Sequence, residues 1–225
     1  MKTIITLLAI IIMGAGAAAQ ETTVPDYTRI EKDIQDKVSP YYYPSLEARY
    51  NKADETLTTD QLRHLYYGSL FIARNVHTAA AAMALDGFNE ILSKPNPTQD
   101  DYQHALEYSN ILVQYKPFSI LLKQYRTFCF KELGRYTDAA KERAQCEMIA
   151  EAILSSGTGA DKAGSIHVID TDNQQEVLGL LRFEASGESR PLTGNNEYVP
   201  VADNVYKTPG VYFYMHQPQR EITGL

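Results

Sequence analysis

The chain of 225 residues has no tryptophan, two cysteines, five histidines and no cluster of basic residues. Each shortage narrows the function. Without Trp, any aromatic platform of the kind that sugar-binding sites use falls to the 16 Tyr. The commoner role of Tyr is amphipathic packing with its hydroxyl near water. A formal charge of −7 without a basic run argues against nucleic acid, because phosphate neutralisation needs clustered Lys and Arg. Past residue 19 no stretch approaches the roughly 20 apolar residues of a spanning helix. The histidines, His64, His77, His104, His167 and His216, form no H-E-x-x-H or other metal spacing, and no Gly-x-Ser-x-Gly elbow occurs.

The N-terminus has a clear pattern. Lys2 supplies a positive charge, residues 4–13 are almost wholly apolar, and residues 14–19 are small. Ala17 and Ala19 fit an A-x-A cleavage site, so residues 1–19 read as a secretory signal peptide and Gln20 as the mature terminus. The other reading is an N-terminal anchor. The expectation is an exported protein, periplasmic or extracellular, with no membrane span after cleavage. Roughly 206 residues remain, enough for one large or two small domains.

Helical patterns fill the front of the mature chain. Tyr27, Ile30, Ile34 and Val38 share a face over residues 26–38, and residues 39–44, with Pro40 and Pro44, break it. Thr58 and Gln61 form a capping-box pattern, followed by Leu62, Leu65, Tyr66 and Ser69 on one side. Residues 76–92 continue as an Ala-rich helix that Pro95 and Pro97 stop. Thr98 and Asp101 start another, which ends at Lys116 and Pro117. The last two helices, 118–133 and 136–155, flank Gly134.

Gly134 supplies the permissive backbone of a helix–helix turn. A shift of 34 residues carries Tyr136 onto Tyr102 and Ala139 onto Ala105, the period of tetratricopeptide repeats. Leu133 to Ala139 resembles the middle of such a repeat, with Ala139 letting the helices approach and Tyr136 filling the hinge. The first unit departs from the pattern: Asp100 stands in place of the hinge Gly, and no third unit is visible. An ordinary antiparallel bundle stays open beside the repeat.

Residues 155–164 are a Gly/Ser-rich linker or long turn. No Lys precedes Ser165 as a phosphate loop requires. Beyond it, residues 166–169, 182–190, 197–201 and 211–216 read as strands, with a short helix over 171–181 that buries Val177, Leu178 and Leu181. The expected fold is α+β: stacked helical hairpins at 20–155, a linker at 156–164, and a small, mostly antiparallel β-rich subdomain at 165–225 packed on the helices.

The same elements carry a second resemblance. The strand from Ile166 to Ile169, the helix around Glu176 to Leu181, Tyr198 to Val201 and Gly210 to Tyr214 look like an uncharacterised family of exported Bacteroidetes proteins, a domain of unknown function. That family has no assigned activity, so no catalytic residue carries over from the resemblance; no cofactor is expected.

Asp170, Asp172, Asn173 and Glu176 hint at calcium but lack the Gly and the distant Glu of a helix–loop–helix site, so a capped strand-to-helix turn is the better account. Three functions remain. The favoured one is a non-catalytic binding or scaffold protein of the cell envelope that presents a helical groove to a peptide or protein. The alternatives are a hydrolase or carbohydrate-active enzyme with an unrecognised site, and a structural envelope protein. Gln124, Phe128 and Lys131 are the candidate binding residues, because spacings of four and three put them on one face of the helix before Gly134. A core position for Phe128 is the competing account. Hairpin geometry keeps Cys129 and Cys146 apart: about seven residues of height, or roughly 10 Å, exceed the reach of a disulfide.

Overall fold

The structure, a computed structural model, describes residues 22–73 and 78–217. The expected signal peptide and His77 lie outside the described residues. The fold is α+β, with eight helices and a four-stranded mixed sheet among the described residues. In order these are α1 (Tyr27–Asp33), α2 (Tyr43–Asn51), α3 (Thr59–Gly68), α4 (Thr78–Ser93), α5 (Gln99–Tyr115), α6 (Ile120–Glu132), α7 (Tyr136–Leu154), β1 (Ile166–Val168), α8 (Thr171–Leu180), β2 (Arg190–Pro191), β3 (Asn196–Pro200) and β4 (Gly210–Met215).

Two compact units alternate along the chain. The first comprises residues 49–56 and 78–149 of the described chain. Its elements are α4, α5, α6 and most of α7. Caps fix where these helices begin. Thr98 and Asp101 form a complete capping box on α5, and Ser119 Oγ accepts from Leu122 N–H at 3.2 Å on α6. The core gathers Phe88, Ile91, Ala105, Leu106, Leu122, Cys129, Phe130 and Ala139. Ala105 and Ala139, the two marker alanines, are both fully buried.

The turn between α6 and α7 has the expected chemistry. Gly134 has φ +70°, and the N–H groups of Gly134 and Arg135 close back on the carbonyls of Lys131 and Phe130 at 2.9 and 2.8 Å. One expectation fails here. Tyr136 is 71% exposed and does not fill the hinge. The ring that lies against the turn residue Arg135 is that of the buried Phe130, with the guanidinium 4.6 Å above it. Cys129 and Cys146 are both free thiols.

The second unit comprises residues 22–48, 57–73 and 150–217. It joins α1 and α3 to the sheet, so the β-rich segment shares its compact unit with early helices. The strand order is β1-β4-β3-β2. β4 pairs antiparallel with β3 and parallel with β1, with Val199 opposite Val211 and His167 opposite Tyr214. The capping box of Thr58 and Gln61 starts α3, where Leu62, Leu65, Tyr66 and Tyr67 are all buried.

Three further expectations change. The first helix stops at Asp33, and Val38, placed on its buried face, is 90% exposed. Asp36 is the reason: its carboxylate accepts from Val38 N–H at 3.0 Å and turns the chain. Pro44 does not simply break helix; it sits in the first turn of α2, where its missing N–H leaves no bond unmade. Residues 182–190 make no continuous strand. Arg182 ends α8 with φ 61°, and one bridge from Ala185 to Val201 precedes the two-residue β2.

The Gly/Ser-rich stretch is a built turn. Ser155, Ser156, Gly157 and Gly159 are buried. Ser156 Oγ accepts from His167 N–H at 2.9 Å, and Gly159 O accepts from Tyr212 N–H at 2.9 Å. A Cβ at Gly157 would collide with the main-chain carbonyl of Ser165.

Candidate functional site

The outward side of α6 carries Leu121, Gln124, Phe128 and Lys131. Leu121 is 50% exposed, Lys131 is exposed, and Gln124 and Phe128 are half-buried. The Phe128 ring meets Tyr102 of α5 edge-on at 5.7 Å and packs against the core cluster. So Phe128 has a core edge and an open edge. The three sequence candidates share one side of the helix, and Leu121, which sequence reasoning passed over, extends that side by a turn.

The opposite side of α6 holds what the sequence reading missed. Lys123, Arg126 and Thr127 are buried there. Glu142 of α7 accepts from Lys123 Nζ at 3.3 Å and from Arg126 Nε at 2.8 Å. Lys123 also donates to Gln145 Oε1 at 2.8 Å, and Gln145 Nε2 donates to Tyr50 O at 2.9 Å. Arg126 reaches Ser109 Oγ at 2.6 Å and Asn110 Oδ1 at 2.8 Å on α5. Two cations therefore share one carboxylate out of water. Burial pulls the Lys123 ammonium below its usual range, with Glu142 holding it partly up. A signal was present: charged residues at i and i+3 on the face that otherwise reads as apolar.

In the second unit the buried polar groups are mostly neutral. The hydroxyl of Tyr27 on α1 and Nδ1 of His167 on β1 form a hydrogen bond of 3.0 Å. The Tyr27 ring stacks on His216 at 3.8 Å, and His167 lies 4.5 Å from Tyr214, ring to ring. Burial, with nearby Arg63 and His216, takes His167 down to about 4, so it is neutral at physiological pH. Burial also lowers His216 and raises the Tyr27 hydroxyl. Arg63 is spent on main chain, donating to Thr23 O and, at 3.0 Å, to Ser155 O. Tyr66, wholly buried, donates to Asn173 Oδ1 at 2.7 Å and accepts from Ile169 N–H at 3.2 Å.

The acidic turn before α8 behaves as a cap. Asp170 accepts from Asp172 N–H at 3.0 Å, and Asn173 Nδ2 donates to Glu176 at 2.7 Å. Among the described residues no three His, Cys, Asp or Glu side chains are grouped to hold a metal ion. His104 is exposed on α5. No helix among the described residues is long and apolar enough to cross a membrane.

The model of a family described as a domain of unknown function, DUF4919, matches residues 28–223. No curated protein and no solved structure matches the chain. The match takes in every helix and strand described above but for the first residue of α1, and the chain belongs to the DUF4919 family.

Proposed function

We propose that the protein is an exported, non-catalytic binding or scaffold protein of the bacterial cell envelope, of the Bacteroidetes type, whose α4–α7 hairpins work as a tetratricopeptide-like platform for a peptide or protein partner. The observation that carries this reading is the outward side of α6. An exposed Leu121 and the open edge of Phe128 adjoin the amide of Gln124 and the charge of Lys131. Apolar area flanked by hydrogen-bonding and charged groups is the composition of a peptide-binding surface. The buried cations and the His167 imidazole support the non-catalytic part of the reading, because Lys123, Arg126 and His167 are each engaged in contacts that hold elements together.

A photo-cross-linking residue at Lys131 in the exporting cell tests the platform. The expected result is a discrete adduct with one envelope protein, absent when the cross-linker stands at Arg143, which is exposed on α7. Leu121→Asp should abolish the adduct without unfolding the chain. Equal labelling from both positions overturns the reading. Export has its own test in the intact mass of protein recovered from the envelope: the signal of residues 1–19 should be gone, and a mass that retains it refutes export by cleavage.

A further inference from the structure

Buried polar side-chain atoms in this protein generally find partners. Nε2 of His64 is one of two exceptions among the described residues, the other being the Tyr115 hydroxyl. His64 lies on α3 and is 2% exposed. Its other ring nitrogen fixes the local chemistry. Nδ1 stands 2.7 Å from the main-chain oxygen of Asp60. A carbonyl can only accept, so Nδ1 carries a hydrogen. Nε2 is then either a bare lone pair or a second N–H.

What Nε2 faces makes that choice consequential. Oδ2 of Asp33, at the end of α1, is 3.4 Å away, close enough for an ion pair but out of hydrogen-bond alignment. That oxygen already accepts from Arg29 Nε at 3.2 Å. The surrounding groups close a ring. From α1 come Asp33 and Arg29. From the loop before α2 comes Tyr41, whose ring stacks on the imidazole at 3.9 Å and whose hydroxyl donates to Asp60 Oδ2 at 2.7 Å. From α3 itself comes Asp60, with Oδ1 3.7 Å from Nδ1 and Oδ2 3.6 Å from the Arg29 guanidinium. Glu151 of α7 is taken by the Thr59 hydroxyl. Around the imidazole, two carboxylates face one guanidinium. A second proton on His64 brings that set to neutrality.

We propose that His64 is a proton-operated latch between α1 and α3. With a proton on Nε2, the imidazolium ties the Asp33 carboxylate to the helix that holds Nδ1, through a charge-assisted hydrogen bond. Without it, a buried lone pair faces an oxygen of the part-exposed Asp33 carboxylate across 3.4 Å, and the end of α1 is released. The latch acts where leverage is high. α1 has only seven residues, and the residue after Asp33 is Ile34, which is buried and whose carbonyl accepts from Tyr43 N–H at 3.0 Å. Histidine is the side chain that changes charge between about pH 5 and 8.

The test follows the ring nitrogens of His64 and the amide protection of Ile34 together by NMR across that range, on the whole chain. On the acid side an Nε2 proton should appear, and the Ile34 protection factor should be about tenfold higher than on the basic side, the ratio a charge-assisted hydrogen bond sets. Protection that stays level while His64 titrates overturns the latch. Asp33→Asn supplies the second arm. Its carboxamide donates to a bare Nε2 as well as a proton would, so this variant should keep Ile34 protected at both ends of the range. A pH dependence like that of the parent in Asp33→Asn refutes Asp33 as the partner.

Discussion

The two compact units bury polarity in opposite ways. Residues 49–56 and 78–149 enclose charges: Lys123 and Arg126 converge on Glu142. Residues 22–48, 57–73 and 150–217 enclose mostly neutral groups: the hydroxyls of Tyr27, Tyr66 and Tyr67, the imidazole of His167 and the amide of Asn173. A charge network balances only while every member is present, because each ion has given up its hydration for its neighbours. A neutral network tolerates the loss of a member better but is exposed to protonation. The helical unit should therefore break hardest by mutation, and the sheet-bearing unit should respond to acid.

The largest effect expected is at Glu142. Glu142→Gln leaves Lys123 and Arg126 buried without an anion, with side chains 7% and 11% exposed. The expected loss is about 3–5 kcal/mol, the usual result of breaking a buried pair by removing one partner. Urea unfolding measures it. Adding Lys123→Met to that variant removes one orphaned cation and should recover part of the loss. No recovery would mean that the network acts by packing, and the contrast between the units would fall.

The acid response comes next. His167 is held at about 4, and in the unfolded chain it takes its ordinary value near 6.5. Between the two, as pH falls, the unfolded chain binds a proton that the folded chain refuses. Stability therefore falls from about pH 6.5 and levels off below about 4, by about 3 kcal/mol in all. His167→Gln keeps a hydrogen-bonding group for the Tyr27 hydroxyl and cannot titrate. Its stability between pH 7 and 4 should fall less steeply than the parent's by that amount. Asp54 and Asp101, both held at about 2 by their hydrogen bonds, also lose stabilising contacts in acid, so only the difference between the two curves isolates His167. Identical curves would remove His167 from the account.

The same contrast explains how much of the fold could be read in advance. The helical unit was legible because its signals are local. Thr98 with Asp101, and Gly134 between two apolar periodicities, mark helix ends within a few residues of sequence. Such caps state their own geometry. The sheet-bearing unit depends on partners far apart in sequence. Ile166 pairs with Phe213, and Tyr66 reaches Asn173 across 107 positions. Alternation foretold that strands exist, but nothing local foretells a parallel β1–β4 pairing or an early helix beside the sheet. Residues 182–190 show the cost of reading pattern alone: the segment looked strand-like, but Arg182 turns it away after α8. At the candidate site the spacing of Gln124, Phe128 and Lys131 gave their common face. It could not give the charges opposite, since Lys123 depends on Glu142 and Gln145 nineteen and twenty-two positions on, and Arg126 on Glu142 sixteen positions on.

The smallest expected effect concerns the two residues that carried the repeat resemblance, and it separates packing from periodicity. Ala139 and Tyr136 recur together at the 34-residue offset, yet the structure treats them differently. Ala139 is 1% exposed in the core of the helical unit, and Tyr136 is 71% exposed at the first position of α7. If spacing alone mattered, both would be sensitive. If packing matters, Ala139→Leu should cost about 1–3 kcal/mol by forcing side chains into a filled core. Tyr136→Ala should then change stability by less than about 0.5 kcal/mol, the range of an exposed surface substitution. Asp138 keeps its contact with Arg135 at 2.8 Å in the variant, and Phe130 still lies beneath that guanidinium, so the hinge retains what holds it. Paired urea titrations of the two variants decide the matter. A loss above about 1 kcal/mol in Tyr136→Ala would return the tyrosine to the hinge and leave the Arg135–Phe130 contact a bystander.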